Sequence, residues 1–224
     1  MRIGILIFDG MTQLDATGPH EVLARVPGAR VLLVAPRRGV VTAAFGLRVL
    51  PDVDFRNCPP LEVLCVAGGS GINALLADKR ALEFVRRQAG RAKYVTAVCT
   101  GSLLLGAAGL LRGRRAACHW LSLPLLKELG AIPSRRRVVA DGKFITAGGV
   151  TSGIDFGLEL AAKLAGKAAA REIQLMIQYD PKPPFRAGTP AGAGRALARR
   201  IARKQAAVQA DRLRRVRAAY DRLL

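Results

Sequence analysis

An α/β fold with a mostly parallel sheet is predicted by three features of the chain. Apolar runs of strand length alternate with longer stretches of helical period, the runs are almost continuously hydrophobic, and glycine clusters follow two of them. Ile3 to Phe8, Val31 to Ala35, Val63 to Ala67, Tyr94 to Val98 and Lys143 to Ala147 read as strands. Leu14 to Val26, Ile72 to Ala89, Gly101 to Leu111 and Ser152 to Leu164 read as the covering helices. Val40 to Phe55 lacks helical period and carries Gly46 and Pro51, which predicts a hairpin or edge strands. A helix ending near Tyr179 meets Pro181, Pro183 and Pro184, which exclude its continuation. Beyond them Leu197, Ile201, Val208, Leu213, Val216, Tyr220 and Leu223 recur at spacings near three, four and seven. They predict one loose amphipathic helix that packs on the core or on a second subunit. The expected organisation is an α/β domain over residues 1–185 and a basic helical extension over 186–224.

Half of the 224 residues are hydrophobic, enough for one substantial core and too few for two enzymatic domains. Met1 to Phe8 reads as a buried strand and not as a signal peptide, because its short apolar run leads straight into Asp9-Gly10 without a small-residue cleavage pattern. No stretch reaches the ~18 uncharged apolar residues of a membrane span, so the expected location is the cytoplasm. Cys58, Cys65, Cys99 and Cys118 are sparse and lack the paired spacings of a disulfide framework or zinc knuckle, so reduced thiols and no metal are expected. The net charge of +20 invites a nucleic-acid reading, and residues 186–224 hold eleven Lys or Arg against two Asp. A solvated Arg/Ala helix accounts for that excess more simply, since Tyr220 is the tail's one aromatic residue beyond position 186 for stacking on bases.

Cys99 is the candidate nucleophile. A cysteine is by default a small packing residue, but this one stands where the Tyr94 to Val98 strand turns directly into a helix beginning Thr100-Gly101-Ser102. Ligands of open α/β sheets bind beyond the carboxyl ends of strands. A helix start also offers free N–H groups and a positive dipole end, which predicts a Cys99 pKa below the usual ~8.5. Cys65 is mid-strand, Cys118 has no turn around it, and Cys58 has no activating neighbour in sequence. Thr100 follows the cysteine, so a Cys-His pair of adjacent residues is excluded, and neither His20 nor His119 is nearby in sequence. Asp15 lies in the loop after the first strand, at the same end of the sheet. Beside a thiolate its carboxyl would hold a proton and serve as acid and base, although a helix cap is the plainer role for an aspartate there. Gly68-Gly69-Ser70-Gly71 follows the Val63 to Ala67 strand, and Gly69-Ser70-Gly71-Ile72-Asn73-Ala74 formally fits a dinucleotide fingerprint but lacks the acidic residue about twenty positions on. These glycines read instead as a second turn that brings backbone N–H groups toward the nucleophile. Gly69, Ser70, Gly101 and Gly148 are the expected substrate-pocket residues.

Asp15 with Gly18-Pro19, Ala67-Gly68-Gly69, Cys99-Thr100-Gly101-Ser102, Ala108-Gly109-Leu110-Leu111, His119-Trp120, and Asp141-Gly142 through Thr146-Ala147-Gly148-Gly149-Val150-Thr151-Ser152-Gly153-Ile154-Asp155 together resemble the ThiJ/PfpI superfamily over about residues 1–190. The lack of a histidine after Cys99, Asp15 in place of the superfamily's usual glutamate, and Tyr179-Asp180-Pro181-Lys182-Pro183-Pro184-Phe185 with Gly188-Thr189-Pro190 look like its isocyanide hydratase branch. The resemblance implies a flavodoxin-like sandwich, usually dimeric, that converts an isocyanide and water to an N-substituted formamide without cofactor. It also implies that Cys99 is the nucleophile, Asp15 the acid/base and Thr100 a hydrogen-bonding group of the pocket. Two alternatives stand beside it. One gives the same thiolate a reactive aldehyde. The other is a regulator, since domains of this type occur fused to AraC-type DNA-binding domains; the thirty-four residues after Pro190 are too few for such a module.

Overall fold

A computed structural model of the protein describes residues 1–221. The first apolar run forms β1 (Arg2–Leu6), buried from its second residue, and the chain turns through Gly10 (φ 74°) into α1 (Gln13–Leu23). β2 (Arg30–Ala35) is followed by β3 (Val41–Thr42), β4 (Arg48–Val49) and β5 (Val53–Asp54). The segment without helical period thus supplies both expected forms: an antiparallel β3–β4 hairpin and an edge strand, β5, parallel to β2. Next come β6 (Val63–Val66), α2 (Ile72–Leu75), α3 (Lys79–Arg91), β7 (Tyr94–Val98) and α4 (Gly101–Ala107). The expected helix from Ile72 to Ala89 is two helices, because Asp78 turns extended (φ −80°, ψ 106°) and its carboxylate caps α3 by accepting the Arg80 N–H at 2.9 Å.

β8 (Arg115–Ala116), a 3-10 turn over Leu123–Leu129 and β9 (Ile132–Pro133) lead to β10 (Val138–Asp141) and β11 (Phe144–Ala147). β10 was not among the expected strands: it is a short edge element behind three arginines, closed onto β11 by Gly142 at φ 61°. α5 (Ser152–Met176) is interrupted at Gly166 (φ 89°), where the first helical pattern ends.

The main sheet runs β10-β11-β7-β6-β1-β2-β5, and every pairing but β10–β11 is parallel. The carboxyl ends of β1, β6, β7 and β11 therefore share one edge of the sheet, where the chain changes direction across β1 and the crevice of an open α/β fold forms. α1 packs against α5 on one side, and α4 packs with α2 and α3 against β6 and β7. Missing side chains set the α1–α5 spacing: a Cβ on Gly153 or Gly157 would lie 3.0 Å from Pro19 or Val22.

The extension is not the single helix that the apolar spacing predicts. It forms α6 (Pro190–Ala193), α7 (Arg195–Lys204) and α8 (Ala206–Asp221), with the chain leaving helical geometry at Gln205. α7 buries no residue, whereas α8 buries Arg212, Val216 and Ala219 and packs on α4 and the 3-10 turn. Leu223, the last member of the predicted stripe, lies outside the described residues. Among the described residues no helix is long and apolar enough to cross a membrane.

Candidate active site

Cys99 occupies the single residue between β7 and the Thr100 cap of α4, and it adopts φ 58°, a left-handed conformation that costs a non-glycine residue about 1 kcal/mol or more. The turn is held from both sides. The Cys99 N–H donates to the carbonyls of Ala147 (3.1 Å) and Gly148 (2.8 Å), at the end of β11. Across the sheet, a Cβ on Gly101 would strike the Val66 carbonyl, so only glycine lets α4 start this close to β6. The Cys99 N–H is therefore engaged by the end of β11, and the Thr100 N–H is the backbone donor that favours the thiolate.

Asp15 is fully buried in the first turn of α1, not in a loop, and it does not cap the helix; Thr12 is the N-cap residue. Its carboxyl points across the sheet edge instead. Oδ2 accepts the Gly68 N–H at 3.0 Å, while among the described residues no donor reaches Oδ1 with hydrogen-bond geometry. A Cβ on Gly68 would lie 2.6 Å from the Thr100 nitrogen and 2.8 Å from Asp15 Oδ2, so Thr100 and Asp15 leave no room for a side chain here. The Thr100 hydroxyl accepts the Gly69 N–H at 2.9 Å and donates to the Gly69 carbonyl at 3.1 Å. The Gly68 and Gly69 N–H groups are spent on holding Asp15 and Thr100. Ser70 is exposed, its hydroxyl donating to the Gly10 carbonyl at 3.2 Å, and Gly148 is half-buried beside Cys99 through its carbonyl.

The electrostatics of the pair reverse another expectation. Burial raises the Asp15 pKa to about 7, against the opposing pull of the Gly68 N–H and the Cys99 thiol. Burial, and then the charge of Asp15, push the Cys99 thiol well above its usual range, outweighing the Thr100 N–H. The helix start alone therefore does not ionise Cys99, because a site this dry disfavours a second negative charge. Near neutral pH the first proton to leave the pair is the one on Asp15.

The other cysteines are plain. Burial raises Cys65 and Cys118 to about 12 and the half-buried Cys58 to about 11. His119 stands against Gly149, its ring carbon 3.7 Å from where a Cβ would project, and burial, then the charge of Arg212, lowers its pKa. The sequence reading did not single out Arg212. It is 4% exposed on α8, donating to Asn73 Oδ1 and Ser122 Oγ, each at 2.8 Å, and to the Gly69 carbonyl at 3.5 Å. Its signal was available, since it sits four positions before Val216 and seven before Ala219 on the inward stripe, but ten other basic residues after position 185 conceal it.

This geometry, a strained cysteine between strand and helix facing a buried carboxyl, has a counterpart in sequence: residues 1–163 match the model of the DJ-1/PfpI family. The chain belongs to the DJ-1/PfpI family. Within it the chain is 50% identical, over 92% of its length and 90% of the relative's, to an isonitrile hydratase of Pseudomonas putida. A solved ThiJ/PfpI family protein from Pseudomonas syringae superposes with a TM-score of 0.92 at 40% identity, covering 98% of this chain and 90% of that one. The DJ-1/PfpI portion is also 33% identical to an HTH-type transcriptional regulator, GbdR, of Pseudomonas aeruginosa, over 66% of this chain and 42% of the regulator.

Proposed function

We propose that this DJ-1/PfpI-family protein is an enzyme that hydrates isocyanides to N-substituted formamides, with Cys99 as nucleophile and Asp15 as acid and base. One observation carries the reading. The buried Asp15 carboxyl has one oxygen fixed by the Gly68 N–H and interacts with the thiol of Cys99, on a strained turn. The identity to an isonitrile hydratase over nine-tenths of both chains supports the substrate class.

With its pKa near 7, Asp15 is in a range where it both accepts and returns a proton at neutral pH. The ionised carboxylate takes the Cys99 proton as sulfur bonds to the terminal isocyanide carbon, and it returns that proton to the same carbon, giving a thioimidate (R–N=CH–S–Cys99). Asp15 next accepts a proton from water as the hydroxyl adds to that carbon. Asp15 passes that proton to the nitrogen, the C–S bond breaks, and the departing thiolate takes up the proton of the carbon-bound hydroxyl, which leaves R–NH–CHO and the free thiol. The sum is isocyanide plus water, with no electron transfer, so these steps draw on no redox cofactor. Thr100 fixes the Gly69 turn and, by its N–H, the sulfur.

The same reading makes the protein a cytoplasmic homodimer. Four free thiols and the exposed Leu175, Met176 and Phe185 near the end of α5 support it, and sedimentation measures the association state. The direct test is turnover of para-nitrophenyl isocyanide, followed spectrophotometrically beside the Cys99→Ala variant. Turnover lost in the variant supports the assignment; equal rates refute a cysteine mechanism, and no turnover by either protein refutes the substrate class.

A further inference from the structure

Arg212 is a buried cation with no evident counter-charge. Its three hydrogen-bond acceptors, Asn73 Oδ1, Ser122 Oγ and the Gly69 carbonyl, are all neutral, and among the described residues it forms no ion pair. The adjacent Asp211 is engaged elsewhere, with Asn73 and with the guanidinium groups of Arg214 and Arg215. A guanidinium does not shed its proton to escape burial, so its charge must be met by polar groups or by a charge within range. Burial pulls its pKa down, and the groups that pull it back up are the Cys118 and Cys99 sulfurs, ahead of Asp211. Coulomb attraction is mutual: a sulfur whose charge steadies the guanidinium is steadied by it, most plainly Cys118, whereas burial and Asp15 dominate Cys99 at rest. The contact to Gly69 adds geometry to charge, because that carbonyl also accepts the Thr100 hydroxyl.

We propose that Arg212, contributed by the C-terminal extension, is a positioning residue of the active site: it is the counter-charge for the Cys99 thiolate and braces the Gly69 turn that orients Thr100. The inference rests on the reading of Cys99 as nucleophile but not on the identity of the substrate. It gives the extension a catalytic purpose, since α8 completes the polar surroundings of a pocket otherwise built by residues 1–185. The titratable and charged groups around Cys99 and Arg212 are then Asp15 from α1, Cys118 and, on the Arg212 side, His119 from the segment after β8, and the neighbouring Asp211 on α8.

The test is the pH dependence of Cys99 alkylation by iodoacetamide in the full chain, with the modified peptide read by mass spectrometry to separate Cys99 from Cys58. Arg212→Gln should slow alkylation at neutral pH by about tenfold or more and move the midpoint of the profile up by about one pH unit, while Arg212→Lys recovers most of the loss. A folded Arg212→Gln protein with the parental profile overturns the proposal, and so does an Arg212→Lys profile displaced as far as that of Arg212→Gln. If Arg212→Gln does not fold, Arg212→Met, which keeps the apolar stem and drops the charge, takes its place in the same alkylation assay, and a parental profile there overturns the proposal. Because alkylation needs no isocyanide, a failed substrate assignment appears as lost turnover with these differences intact.

Discussion

Replacing Asp15 by Asn should make the protein more stable at alkaline pH relative to acid pH while destroying its chemistry. The folded structure raises this carboxyl from 3.8 to about 7, and the cause is burial of a group that is fully enclosed. The sign follows from proton uptake: between those two values the folded state holds the proton and the unfolded chain does not. Stability contributed by this group is therefore complete below the unfolded value and is lost as pH rises through the folded one. At ~1.4 kcal/mol for each pH unit, the displacement amounts to roughly 4 kcal/mol. The amide that Asp15→Asn introduces does not ionise, so the variant escapes that loss; an amide N–H left unpaired costs about 1–3 kcal/mol, but it costs the same at every pH. Urea unfolding of both proteins at about pH 4 and about pH 8 isolates the effect as a double difference: the variant should gain roughly 4 kcal/mol relative to the parent between the two conditions. A double difference near zero would refute the account of a buried carboxyl ionising near neutrality and, with it, the assignment of Asp15 as the base.

For hydration, kcat/KM should rise with pH and level off above about 7, because Asp15 accepts the thiol proton only when ionised; a flat profile from about pH 5 to about pH 8 argues against that role. Gly68→Ala should cost about 1–3 kcal/mol and about 100-fold or more in rate, since its Cβ would stand 2.6 Å from the Thr100 nitrogen and 2.8 Å from Asp15 Oδ2. Denaturant melts and initial rates measure both, and near-parental activity contradicts the crowding of Thr100 and Asp15 around Gly68. Thr100→Val removes the acceptor of the Gly69 N–H and should destabilise by about 1–3 kcal/mol; an unchanged unfolding midpoint would mean that the turn does not need the hydroxyl. Truncation after Phe185 should lower the melting temperature, because it uncovers the surface that α8 buries with Val216 and Ala219. Calorimetry on the shortened chain checks this, with an unchanged midpoint as the opposing result.

The elements that were legible in the sequence are those whose signal is local. The β6, β7 and β11 strands are apolar on both faces because they are covered on both faces, and glycines at 68, 101 and 148 mark turns that no larger residue permits or that abut the nucleophile. Cys99 was legible because a cysteine between a buried strand and a helix start is a position, not a composition. The β10 strand was hidden by the three arginines before it, and the break at Asp78 was hidden because apolar spacing continues across a capped junction. Three facts required the tertiary structure. The Cys99 N–H is consumed by the end of β11, some fifty residues away in sequence; the thiol is pushed up, not down, because α1 brings Asp15 into the same dry volume; and a tail that reads as a solvated basic helix sends Arg212 to the Gly69 carbonyl. Chain order carries residue types and periods, but desolvation and charge pairing depend on which distant segments share a volume, and only packing decides that.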